Sequence, residues 1–228
     1  MSMKKLSIVL LMLATLTLPF ACSEKDPSNE VVGPGTDDPN NTDDPNQDDP
    51  NQDDPEVQKF EVGDYYKVGL AEGIVAYVDE SGEHGLIISL DETRAQWSTD
   101  HELLTKMGGE FSMDDGAWNC EYIYLLEDWS NRYPAFAWCY DKNVLGLKAW
   151  FLPSINEFQR AHAGLEAINA ALVEMDATPI STGANDIYWT SVEIGVQSAY
   201  AFSFFEGDIA SHDLDKLNEH HVRAMRKF

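Results

Sequence analysis

At 228 residues the chain is long enough to bury a substantial core, and its 40 acidic against 15 basic residues give a formal charge of -25. A surface this acidic repels polyanions, which excludes nucleic acid as a partner and gives anionic lipid headgroups nothing to attract. Three cysteines, with no Cys-x-x-Cys and no helically spaced histidine pair, leave no zinc pattern.

Lys4 and Lys5 precede an uncharged apolar run from Leu6 to Leu18. That is the pattern of a secretory signal peptide, shorter than the about 20 apolar residues of a spanning helix. Leu18-Pro19-Phe20-Ala21-Cys22 then places a small residue directly before a thiol. We read residues 1–21 as a lipoprotein signal peptide and Cys22 as its acylated residue, so that the lipid bilayer is the first expected partner. The competing reading is an ordinary signal peptide cut near Ala21. Polar sequence beginning immediately after the cysteine argues against it.

Residues 22–56 carry 12 acidic side chains against one lysine, and Asp-Asp-Pro recurs from Asp37, Asp43, Asp48 and Asp53. Such a segment has almost nothing to bury and cannot offset its ordering entropy. It reads as a disordered acidic linker, able at ~3.1 Å per residue to reach on the order of 100 Å. Within the repeats no glycine supplies the loop turn and no bidentate Glu closes it, as an EF-hand requires, so no metal is expected there. Glu24 and Asp26, directly after the lipidated cysteine, resemble export signals of Gram-negative surface lipoproteins. The expected location is the outer membrane, lipid-anchored, at the cell surface.

Residues 57–228 have the length of one domain, with 28 acidic and 12 basic side chains. Gly73–Val78 and Gly85–Leu90 are strand-like runs around a turn, hence a hairpin. Helical stretches follow at Asn119–Asp128 and Tyr133–Asp141, the latter with Pro134 in a tolerated first-turn position. Trp150–Pro153 reads as a short buried strand. Ser154-Ile155-Asn156-Glu157 is a capping box opening a helix whose face is marked by Ile155, Phe158, Leu165, Ile168 and Leu172, and which ends at Thr178-Pro179. Strand-like runs at Ile187–Ser191, Tyr200–Phe204 and Val222–Phe228 complete the chain. Helices between strand groups at either end of the domain indicate α+β and not an alternating βαβ sheet.

Cys120 and Cys139 both fall in helical stretches, and export permits a disulfide between them. A bridge closing about 20 residues would contribute ~3 kcal/mol. Free cysteines are equally at home in a core as small hydrophobes, and both readings stand.

Four motifs in order then resemble one family. They are Gly73-x-Val75-x-Tyr77-Val78-Asp79-x-Ser81-Gly82-x-His84-Gly85-Leu86-Ile87, Trp150-Phe151-Leu152-Pro153-Ser154-x-x-Glu157-Phe158, Tyr188-Trp189-Thr190-Ser191, and the run from Val222 to Phe228. Together they resemble the Lcl C-terminal or major paralogous domain family, domain of unknown function 1566. The resemblance implies a C-type-lectin-like domain: N- and C-terminal strands paired, helices packed on a twisted antiparallel sheet, and a loop-rich half that presents a ligand. It also implies surface proteins, some of them variable near the C-terminus. Neither a Glu-Pro-Asn nor a Trp-Asn-Asp triplet is present for the calcium-dependent sugar site of true C-type lectins. The expectation is therefore a non-catalytic recognition domain for a glycan, peptide or protein, without cofactor or metal.

An alternative comes from formylglycine-generating oxidases, which have a related fold and use paired reactive cysteines. Here the C-terminal loop region contains no cysteine. Trp150, Leu152, Tyr188 and Trp189 are read as core, Arg223 and Arg226 as internal charge partners, and His84 as structural. Strand alternation puts Tyr200, Phe202 and Phe204 on one face, assigned inward by the resemblance, and Ala201, Ser203 and Phe205 on the other. The candidate ligand-binding residues are thus Ser203, Phe205, Glu206, Asp208, His212, Asp213 and Lys216, on and after the strand in an irregular polar stretch.

Overall fold

The computed structural model describes residues 58–104, 110–143, 149–212 and 214–228. The signal sequence, Cys22, the acidic linker and Asp213 lie outside the described residues. The expected hairpin forms from β2 (Ala71–Val78) and β3 (Gly85–Ile88). Asp79 holds its turn by accepting hydrogen bonds from Ser81 and the Gly82 N–H. A register shift between Val75 and Tyr77 marks a bulge at Ala76, and beyond it Tyr77 is only half-buried.

β1 (Tyr65–Val68) adds to the outside of β2, while β10 (Met225–Lys227) pairs with β3 on one side and with β5 (Trp150–Phe151) on the other. The resulting antiparallel sheet has the order β1-β2-β3-β10-β5. The C-terminal strand therefore neighbours β3, where the resemblance implied pairing of the terminal strands. A second sheet has the order β4-β9-β6-β7-β8, from β4 (Thr93–Gln96), β9 (Glu219–Val222), β6 (Ile187–Glu193), β7 (Ala199–Ser203) and β8 (Asp208–Ile209). Its β6–β9 pair is parallel, so the domain carries two sheets, one of them mixed, where one antiparallel sheet was expected. The α+β class stands.

Helices α1 (Gly116–Ile123), α2 (Trp129–Arg132) and α3 (Pro134–Asp141) lie between β4 and β5 in the chain. Asp115 caps α1 through the Trp118 N–H. The capping box forms as the sequence predicts: Ser154 and Glu157 exchange hydrogen bonds at the start of α4 (Ile155–Ala163). The predicted single long helix instead breaks at Gly164, and α5 (Leu165–Glu174) starts afresh. A side chain at Gly164 would stand 2.4 Å from Val62 Cγ1, so this close approach requires glycine.

The core follows the aromatic positions. Trp150, Leu152, Tyr188 and Trp189 are all buried. Phe158 on α4 meets Phe202 and Phe204 with ring centroids 5.8 and 5.3 Å apart, and Trp97 packs edge-on against Tyr133 and Phe136. The bridge considered between Cys120 and Cys139 is absent: both thiols are free and fully buried. Cys120 Sγ instead accepts the Leu152 N–H at 3.3 Å, and burial pushes its pKa up to about 12. The two cysteines serve as small hydrophobes where α1 and α3 enter the core.

Candidate functional site

The expected C-terminal hairpin separates into parts with different roles. Phe204 is buried against α4 while Phe205 is 61% exposed, as the alternation predicts. Gly207, at φ 72, lets the turn pass His162, whose Cε1 lies 2.5 Å from where a Cβ would sit. Glu206, Asp208 and His212 are exposed.

Two of the candidates are corrected. Ser203 is buried, because both faces of β7 are covered at that point, and its Oγ accepts the Glu206 N–H within the turn. Lys216 has no exposed surface. Its ammonium donates to Glu193 Oε1 at 2.5 Å and to the Glu102 carbonyl at 2.7 Å, and lies 4.8 Å from the centre of the Trp97 ring. The Leu104 N–H donates to both oxygens of the same Glu193 carboxylate, at 3.0 and 3.1 Å. Desolvation lowers the Lys216 pKa against the opposing pull of Glu193. Lys216 also backs onto Gln197, at the opposite end of β7 from Phe205. It is a structural tie and does not share a surface with the hairpin tip.

Arg223 pairs internally as expected, donating to the Thr178 carbonyl with its Nε 3.5 Å from Glu92. The sequence reading missed the network around it. His221 Nδ1 is 2.8 Å from Glu92 Oε1, its Nε2 lies 3.5 Å from Asp186 Oδ1, and its ring stacks on Tyr188. Tyr188 in turn donates to Glu92. These contacts tie β9, β6 and the loop before β4 together. Among the described residues no group of three or more His, Cys, Asp or Glu could hold a metal ion.

A concave site does occur where the sequence reading placed none. A cleft of about 270 Å³ is lined by Tyr77, Asp79, His84, Gly85, Leu86, Glu157, Arg160, Lys227 and Phe228. Four segments build it: both ends of the β2–β3 turn, the first two turns of α4, and the end of β10. Arg160 lies 5.3 Å from the Tyr77 ring centre, and its nearest carboxylate, Asp114, is 3.7 Å away. Lys227 reaches Asp115 at 2.9 Å while remaining more than half exposed. Glu157 takes three donors on Oε2, from Ser154 N, Ser154 Oγ and Gly116 N, yet burial still raises its pKa. The Ser81 hydrogen bond holds the Asp79 carboxyl below the usual range. Its residues are spread over the β2–β3 hairpin, the start of α4 and the C-terminal strand, and come together only in the folded domain.

No family model matches the chain, and no curated protein matches it. A crystal structure of a fimbrial protein from Bacteroides ovatus superposes with a TM-score of 0.57 at 19% identity, over 74% of this chain and 49% of that one. The chain thus spans about half the length of that fimbrial protein, and the likeness is one of fold. No described helix is long and apolar enough to cross a membrane.

Proposed function

We propose that this chain is a cell-envelope lipoprotein, acylated at Cys22, whose acidic linker displays a non-catalytic recognition domain of the C-type-lectin-like, Lcl C-terminal kind at the outer-membrane surface. The observation that carries this reading is the cleft: a concavity with an apolar wall and a few converging polar groups is the usual form of a small-ligand site. The fimbrial neighbour, itself named for a surface structure, supports a place at the cell surface. The oxidase alternative loses support because Cys120 and Cys139 are buried with raised thiol pKa values, whereas reactive cysteines sit in partly exposed, electropositive surroundings.

The test uses the mature chain and an Arg160→Trp variant, which fills the cleft from a partly exposed position. Both are applied to isolated envelope fractions of the producing cell: peptidoglycan, surface polysaccharide and outer-membrane protein. Retention of the wild type on one fraction, lost in the variant at an unchanged thermal midpoint, is the expected result. Equal retention of both would place recognition elsewhere on the domain, with the exposed tip at Phe205 next to be tested.

A further inference from the structure

Resting on that reading, we infer that the cleft takes the free carboxyl end of a peptide whose last side chain is apolar. Three features of the cleft correspond to the three parts of such an end. The carboxylate is met by Arg160 and Lys227. A guanidinium presents a planar fork of donors suited to a carboxylate, and that of Arg160 is steadied over Tyr77. Among the described residues its ion pair is the loose one to Asp114 at 3.7 Å, a side chain already accepting from Asn156 Nδ2 at 2.7 Å. Two of the domain's 12 cations thus converge on one small concavity of a strongly acidic domain.

The apolar side chain is met by Leu86, Phe228 and the Tyr77 ring edge, which form one wall. Asp79 and Glu157 border the same space and can accept from the peptide's terminal amide N–H. The volume, about 270 Å³, falls just below the roughly 300–1,000 Å³ of sites for drug-sized ligands, and so admits one or two residues.

The surroundings argue against other occupants. β2, β3 and β10 are consecutive neighbours inside their sheet, so the cleft offers no unpaired strand edge on which an extended peptide could lie. A sugar ring would stack on an aromatic face, but both rings of the wall are engaged: Tyr77 by Arg160, and Phe228 by Tyr66 and Phe60 at 4.8 and 5.3 Å. Only a terminus fits, with the rest of its chain leading out past the exposed His84.

The experiment titrates the mature chain with N-acetyl-Ala-Leu, with the same dipeptide as its C-terminal amide, and with glucuronic acid, following the Leu86 and Phe228 resonances. The free acid is expected to bind at least tenfold more tightly than the amide. Arg160→Met and Lys227→Met should each weaken the acid at least tenfold while leaving amide binding and the thermal midpoint in place. Equal binding of acid and amide, or tighter binding of glucuronic acid, overturns the proposal. If no probe moves the cleft resonances but envelope retention is still lost in Arg160→Trp, the peptide terminus is wrong and the cleft stands. If retention also survives Arg160→Trp, the cleft is not the recognition site, and the peptide terminus and the cleft fall together.

Discussion

The Lys216 ammonium lies 2.5 Å from the Glu193 carboxylate, and neither side chain has any exposed surface. Removing one partner takes the opposing charge from the other in a buried site, a loss of about 3–5 kcal/mol. Lys216→Met is therefore expected to lower stability by that order in a denaturant titration. The Lys216→Met/Glu193→Met double variant is expected to lose less than the two single changes added together, since it removes both charges. Full additivity would show that the two charges do not act as a pair.

Phe204 and Phe205 are adjacent but opposite in environment, 2% and 61% exposed. Phe204→Ala is expected to cost about 3–5 kcal/mol, and Phe205→Ala about 0.5 kcal/mol or less. Thermal unfolding of the two variants side by side checks this. Comparable losses would mean that Phe205 is core.

Burial raises the Glu157 pKa above its ordinary value of 4.5, outweighing the Ser154 and Gly116 donors. The native state then holds the proton more tightly than the unfolded chain does. The sign follows: Glu157 favours the fold most below about its unfolded pKa, and that advantage is lost as pH rises through the raised folded value. Relative to Glu157→Gln, the wild type is expected to be best placed near pH 4 and to lose ground by pH 7. Urea midpoints of both proteins across this range measure it, and a constant difference would contradict the shift.

For the proposed anchor, Cys22→Ser is expected to abolish incorporation of labelled palmitate and to release the protein from the membrane fraction. Continued labelling would show that acylation occurs elsewhere.

What the sequence discloses about this domain is what lies close together along the chain. The Ser154/Glu157 box and the β2–β3 hairpin depend on neighbours within a few residues, and Trp150, Tyr188 and Trp189 declare their burial by their own apolar bulk, so these patterns are explicit. β4 and β9 are not legible because Thr93–Gln96 and Glu219–Val222 are short and polar, and are strands by pairing with each other and, for β9, with the distant β6. The close approach that calls for glycine at the α4–α5 break is made by Val62, about 100 residues earlier. Lys216 reads as surface because charged side chains are almost never fully buried unless paired, and its partners Glu193 and the Glu102 carbonyl are distant in sequence. The cleft was illegible for the same reason.

The position of β10 between β3 and β5 bears on how the protein is made. Until residues 225–227 have left the ribosome, β3 and β5 have no strand to join them, and β3 must wait for a partner about 140 residues away. This sheet is therefore completed only after synthesis has passed the last strand, through slow long-range pairing. For the export proposed above, a sheet that closes so late keeps the polypeptide threadable during its synthesis, the condition a translocation channel requires of its cargo.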